Sequence, residues 1–267
     1  MTRKKPRNVS IERHGRVAIV RFDRSDGKNA LSFETLRELT VAARSFEDDP
    51  DISAIVLTGT PSVFTVGFDL KDSETTGLAN LGLAERRKLL ETGPRLCRAW
   101  ESLEPMTIAA VEGWCIGGGM SITLSCDLRV AGEGASSFAP EIERGMNMSW
   151  QTIPRAVALV GPARAKRLFV MAERLSAGQG LDWGYYDAVA PGGGALQRAM
   201  EMAERIAAMP PVQVRMVKQG VNAAAFALAD AVSVLDRDQY LLAQGSEDYE
   251  EGLRSFLEKR PPKYTGR

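Results

Sequence analysis

Three consecutive glycines, Gly117-Gly118-Gly119, stand between the apolar Trp114-Cys115-Ile116 and a helix-forming run that begins Met120-Ser121. A bare backbone at such a junction lets a helix pack close to a strand and points the helix's first N–H groups at whatever occupies the loop. The chain around it is therefore expected to be a strand–loop–helix unit, and the loop suits an oxyanion. Spacing excludes two phosphate-binding designs. A Walker-type loop needs Gly-Lys-Ser/Thr, where this chain has Gly119-Met120-Ser121. A dinucleotide fingerprint needs G-x-G-x-x-G with an acidic residue about 20 positions on, and Asp127 comes far too early.

Strand and helix signals alternate through the first half. Residues 9–12 and 17–22 read as strands around the hairpin signal His14-Gly15. Ser32 caps a helix over residues 34–39, and residues 52–57 form a buried strand. Residues 83–103 read as one long amphipathic helix, 106–111 as a strand, 118–126 as a helix and 128–131 as a strand. This alternation with short apolar strands predicts an α/β fold, a largely parallel sheet covered by helices. From Ile153 onward the pattern becomes helix after helix, over residues 156–160, 163–172, 196–209, 212–225 and 228–244. Pro154, Pro162, Pro191, Pro210 and Pro211 punctuate them at starts and turns. The Met- and Ala-rich helices, from Met200 and Met202 through Met216 to Ala223-Ala224-Ala225, suit a core or a subunit interface rather than a cofactor site.

A second loop gives the glycine run its meaning. Val56-Leu57-Thr58-Gly59 ends an apolar strand, and Phe64-Thr65-Val66-Gly67-Phe68-Asp69-Leu70-Lys71 follows it. Added to these are Asn29-Ala30-Leu31, Pro140-Glu141, the segment from Leu175-Ser176-Ala177 to Asp187-Ala188-Val189-Ala190-Pro191, and the tail Arg260-Pro261-Pro262-Lys263-Tyr264-Thr265-Gly266. Taken in order, these motifs resemble the enoyl-CoA hydratase/isomerase family, the crotonase superfamily, along essentially the whole chain. The resemblance implies a crotonase-like spiral of β-β-α turns over residues 1-190. It also implies a C-terminal helical trimerisation region over residues 191-267 that closes the site. The implied substrate is an acyl-CoA thioester, with no cofactor beyond the coenzyme A that the substrate carries. The implied assembly is a homotrimer or a homohexamer.

By the same resemblance, the backbone amides of Phe68 and Gly118 donate to the thioester oxygen as its enolate forms, and Glu141 moves protons. A donor of this kind is typically worth on the order of 100- to 1000-fold in rate. Ala30, Leu31, Val66, Gly67, Asp69 and Leu70 match stretches that grip the CoA moiety. Lys28 and Lys71 are candidates for its phosphates, or else solvated surface lysines. Gly117, Ser121 and Trp150 complete the implied substrate site. Phe68 replaces a commoner small residue, so its ring either walls the substrate channel or packs as a strand-end aromatic.

The acid–base residues select the reaction. Hydratases of this family hold one water between two carboxylates, and here the second is Glu141 while the first is Ser121. Serine can orient a water but cannot exchange a proton near neutral pH. A lone Glu141 suits a double-bond shift from 3-enoyl-CoA to 2-enoyl-CoA, with hydration as the alternative. Thioester hydrolysis, decarboxylation and carbon–carbon cleavage are further single-Glu chemistries, and a non-catalytic CoA-ester-binding protein is a reading of another class. Glu141 should be partly desolvated by Phe138, Met146, Met148 and Trp150, with its pKa raised. Glu143 would face the same side in an extended segment, as a substitute second carboxylate, or pair with Arg144 in solvent. Met146-Asn147-Met148-Ser149-Trp150 stands where many hydratases have a glycine-rich stretch, which predicts a differently shaped acyl pocket.

Composition removes other classes. Lys+Arg and Asp+Glu both number 34, so no broad basic face for nucleic acid is implied. Cys97, Cys115 and Cys126 lack C-x-x-C spacing, and His14 is the only histidine, which argues against a metal site and for reduced core thiols. With His14 on a hairpin turn, a nucleophilic Ser121 would lack a base. The charged start Met1 to Arg7 is not followed by an apolar core of the secretory type, and no stretch approaches the roughly 20 apolar residues of a membrane span. The expectation is a cytoplasmic protein with no membrane partner.

Overall fold

Six residues, Val17–Phe22, make strand β2, and most of them are buried on both faces, as a strand covered by helices on each side requires. The structure, a computed structural model, describes residues 8–267; the charged run Met1 to Arg7 lies outside the described residues. Strand β1 (Val9–His14) pairs with β2 in an antiparallel hairpin turning at Gly15. Strands β3 (Ala54–Thr58), β4 (Met106–Val111), β6 (Leu128–Gly132) and β9 (Ala188–Ala190) then add in parallel, giving the order β1-β2-β3-β4-β6-β9. A smaller sheet holds β5 (Trp114–Ile116), β7 (Ser136–Phe138) and β8 (Leu175–Ser176) in the order β5-β7-β8. A bridge between Thr65 and Cys115 ties the loop after β3 to this second sheet.

Helices follow the strands. Helix α1 (Phe33–Arg44) starts where the Ser32 hydroxyl accepts from the Thr35 N–H, an N-cap that satisfies one of the orphan donors. Short α2 (Ser73–Thr76), α3 (Leu83–Leu90) and α4 (Thr92–Glu101) lead to β4. Helix α5 (Gly118–Leu124) is buried along its whole length. Helix α6 (Thr152–Val170) is kinked at Gly161, whose φ is 78°, just before Pro162. Helix α7 (Ala177–Trp183) precedes β9, and α8 (Ala195–Ala207) lays Ala195, Ala199 and Ala203 against Val17, Val56, Ile108 and Val130. A stripe of alanines brings that helix close to the sheet. Helices α9 (Pro211–Ala225), α10 (Ala229–Ser233), α11 (Asp236–Ala243) and α12 (Glu247–Glu258) complete the chain.

Three expectations change. The single helix expected over residues 83–103 is two, divided at Glu91. Pro94 would sit in the interior of one helix, but in the first turn of α4 its missing N–H costs nothing. The later half is not all helix, since β8 and β9 edge the two sheets. The expected helix over 228–244 is split into α10 and α11, and α12 follows.

Candidate active site

Asn29 explains why the two loops meet. It takes a left-handed φ of 52°, which asparagine tolerates better than most residues. Its buried Nδ2 donates to the carbonyls of Phe22 (3.0 Å) and Phe64 (2.8 Å), while Thr65 Oγ1 donates to the Asn29 carbonyl (2.6 Å). The segment after it then pairs with the loop after β3. Leu31 N–H donates to the Gly67 carbonyl and Asp69 N–H to the Leu31 carbonyl. Residues 67 and 69 face this bridge, so alternation turns the Phe68 N–H to the opposite side. Among the described residues it donates to no protein acceptor.

The glycine loop supplies the second amide. Gly117 N–H is held by the Phe138 carbonyl at 2.9 Å, and Gly118 is the first residue of α5, where helix geometry leaves an N–H without an internal partner. Gly117 has φ 52° and ψ −111°, and a Cβ there would strike Glu141 Oε1. Residue 117 must therefore be glycine for the carboxylate to occupy its place. Gly67, Phe68, Gly117, Gly118 and Glu141 line one cleft, together with Val66, Leu70, Ser121 and Trp150.

Glu141 follows β7 and opens a short 3₁₀ turn, Ile142–Arg144. Its own carbonyl accepts from the Arg144 and Met146 N–H groups. Oε2 is buried and has no hydrogen-bond partner. Burial pushes the carboxyl up to about 7, opposed by the positive charge of Arg144. Met146, Met148 and Trp150 supply apolar wall as expected, but Phe138 does not line the cleft; it meets Trp114 edge-on and lies under Arg174. Glu143 is exposed on the 3₁₀ turn rather than extended beside Glu141. Arg144 does not pair with it but sits over the Phe256 ring at 4.2 Å.

Trp150 shapes the floor. Its ring packs against Gly93 of α4 and Gly118 of α5, where side chains would collide with it. It meets Phe68 edge-on at 6.2 Å, and Phe68 meets Phe33 edge-on at 5.2 Å. Trp150 and Gln151 both have left-handed φ, 62° and 60°, a strained pair for such side chains. Their surroundings hold them: buried Arg155 donates to the Trp150 carbonyl (2.8 Å) and forms a two-pronged pair with Glu101, while Asp236 of α11 accepts from the Gln151 N–H (2.6 Å).

Ser121 is fully buried, with Oγ 2.7 Å from Thr152 Oγ1. His14 is exposed at the hairpin beside Glu12, so no imidazole faces Ser121. The remaining sequence candidates stand behind or outside the cleft wall. Leu31 is buried beneath Gly118, and the carbonyl of buried Ala30 accepts from Arg24. Asp69 is ion-paired with Arg24 at 2.7 Å, and Lys28 and Lys71 are exposed. Asn147 lines the cleft within the segment expected to reshape the acyl pocket, while the sequence reading omitted other lining residues: Phe33, Leu90, Arg144, and Arg237 and Tyr240 of α11. The α11 pair lies far along the chain from the other walls, and no local pattern could have placed it there. The three cysteines are buried, and burial raises Cys97 to about 11 and Cys115 and Cys126 to about 12, which makes them inert as nucleophiles. Among the described residues no helix is long and apolar enough to cross a membrane, and no cluster of His, Cys, Asp and Glu could hold a metal ion.

Two loop amides and a buried carboxylate on one cleft are also the arrangement implied by the sequence resemblance, and comparison with known proteins decides the matter. The family model for enoyl-CoA hydratase/isomerase matches residues 12–267. This chain belongs to that family. A short-chain-enoyl-CoA hydratase of Clostridium acetobutylicum is 31% identical over 254 residues, covering 95% of each chain. The 2,3-dehydroadipyl-CoA hydratase of Escherichia coli is 29% identical, covering 96% of this chain and 98% of its own. Among solved structures, carnitinyl-CoA hydratase from Mycobacterium avium superposes with a TM-score of 0.84 at 29% identity, over 97% of this chain and 99% of that one. The fold is the crotonase fold with a helical C-terminal region, and the protein is an acyl-CoA enzyme of the enoyl-CoA hydratase/isomerase family.

Proposed function

We propose that the protein shifts the double bond of a 3-enoyl-CoA thioester to position 2. The carrying observation is that Glu141 is the one carboxylate among the described residues lining the cleft. In this reading the Phe68 and Gly118 N–H groups hold the thioester oxygen, which makes the proton on the carbon beside the carbonyl removable. Glu141 takes that proton, the negative charge spreads over the dienolate, and the same carboxyl returns the proton to the far carbon. A carboxyl near pKa 7 suits both halves, since it can accept and release a proton at neutral pH. Ser121 stands where a second carboxylate would serve hydration, and its hydroxyl is engaged with Thr152.

Hydration of a 2-enoyl-CoA is the second reading, favoured by the hydratase names of the relatives. Ser121 and Glu141 would then orient one water between them. Incubation of the pure protein with a 3-enoyl-CoA and, separately, a 2-enoyl-CoA, with mass and ultraviolet readout, discriminates the two. Isomerisation of the first without net water uptake by the second supports the proposal. Hydration of the second with no isomerisation of the first refutes it.

A further inference from the structure

The acyl end of the cleft carries more hydrogen-bond donors than an apolar chain could use. Arg144 is half-buried on its wall, yet its guanidinium makes no ion pair and donates to no acceptor among the described residues; only the Phe256 ring backs it. Other buried arginines are fully engaged. Arg129 donates to the Tyr185 and Cys126 carbonyls and pairs with Asp187, and Arg155 grips Glu101. Asn147, three residues beyond Arg144, has a buried amide oxygen with no partner. A half-turn of that amide places its NH₂ at the same position, because the two ends are isosteric. Arg237 of α11 ties its Nη1 to Glu91, and its Nε faces Asp238 Oδ1 at 3.5 Å without a hydrogen bond, so it adds positive charge to this wall rather than a free donor. The Tyr240 hydroxyl donates to Met146 Sδ at 3.1 Å, a weak acceptor.

These four residues share one cavity with Glu141. An acyl group closing over these polar groups takes them out of water, and an acceptor carried by that group then offsets the cost. We propose that the acyl group ends in a carboxylate, held by Arg144 with help from Asn147, Arg237 and Tyr240. A guanidinium and a carboxylate match as a two-pronged, charge-assisted pair. The Arg144 charge also offsets repulsion between that carboxylate and Glu141. Arg144 is then a specificity-determining residue, and this inference rests on the acyl-CoA reading of the cleft.

Glutaryl-CoA and pentanoyl-CoA, saturated esters of equal carbon count that differ only at the chain end, test it by calorimetric titration without turnover. The wild-type protein is expected to bind glutaryl-CoA about 10- to 100-fold more tightly, the range of one charge-assisted hydrogen bond. Arg144→Leu is expected to abolish that preference and Arg144→Lys to retain part of it. Equal affinities in the wild type, tighter binding of pentanoyl-CoA, or a preference that Arg144→Leu leaves unmoved would each overturn the proposal. The wild-type comparison decides even where a variant fails to fold. Binding of both esters alike removes only this inference, whereas binding of neither removes the acyl-CoA reading and this one with it.

Discussion

Glu141 combines a buried, unpartnered Oε2 with a pKa near 7, and both properties are measurable. As a base it works only when ionised. The value of kcat/KM for a 3-enoyl-CoA should therefore rise about tenfold per pH unit below 7 and level off above it. Glu141→Gln should lower kcat by roughly 100- to 10,000-fold, and a variant that turns over normally would remove the residue from the mechanism. The same shift has a stability consequence. Below about pH 4.5 folded and unfolded chains both hold the proton; as pH rises toward 7 the unfolded chain releases it first, so stability present at low pH is lost across that window. The shift from 4.5 to about 7 corresponds to on the order of 3 kcal/mol. Glu141→Gln should accordingly raise Tm at pH 8 and leave it nearly unchanged at pH 4, as followed by circular dichroism. At this scale the sequence was informative wherever backbone chemistry was local: the glycine run and Pro140-Glu141, singled out as motifs, border the same cleft. Arg144 was overlooked because its sequence neighbour Glu143 offered a partner, and only the 3₁₀ turn shows that the two side chains part.

Elements deliver these residues, and α12 illustrates how. It packs on the 3₁₀ turn that follows Glu141, so closely that a Cβ at Gly252 would strike the Arg144 backbone. The tail adds a hydrogen bond from the Tyr264 hydroxyl to the Glu143 carbonyl at 2.6 Å. Gly252→Ala should thus cost about 1–3 kcal/mol of stability, as overpacking does. It should also lower kcat, because the displaced turn carries Glu141. Urea unfolding and kinetics on the same preparation test both parts; a stable variant with unchanged kcat would show that the contact is slack. The α12 contact could not be read from periodicity, since it is made by a glycine meeting backbone and not by an apolar stripe. The break at Glu91 was missed for a related reason. Pro94, three positions past the break, acts through its backbone by favouring a new first turn, and an apolar stripe does not register that. The parallel strands β2, β3, β4 and β6 were recovered because their signal is continuous burial, which sequence displays directly, whereas three-residue β7 and β9 are too short to show it.

Among the described residues, helix α9 leaves an apolar face uncovered. Met216, Val217 and Val221 of α9 are 65%, 65% and 60% exposed, beside a groove lined by Met106, Leu128, Leu159, Ile206 and Phe226. Solvent does not favour so large an apolar patch on a monomer, and the sequence resemblance implies a trimer or hexamer. Self-association through this face therefore follows as an expectation. The charged groups lining the groove are already paired, Asp127 with Lys218 at 2.7 Å, Arg155 with Glu101 and Arg129 with Asp187, so burying the face would strand no charge there. Analytical ultracentrifugation should give a mass above that of one 29.1 kDa chain, and Tm should increase with protein concentration, as mass action requires. Val217→Asp places a charge in the middle of the face and should shift the species toward monomer, with a lower Tm that no longer depends on concentration. A wild-type protein that sediments as a monomer at every concentration would mean that the face serves another purpose. Because α11 contributes Arg237 and Tyr240 to the cleft and lies between α9 and α12 in the chain, dissociation should also weaken CoA-ester binding. Titrating Val217→Asp with pentanoyl-CoA measures that coupling directly: affinity equal to wild type would show that each cleft is complete within its own chain.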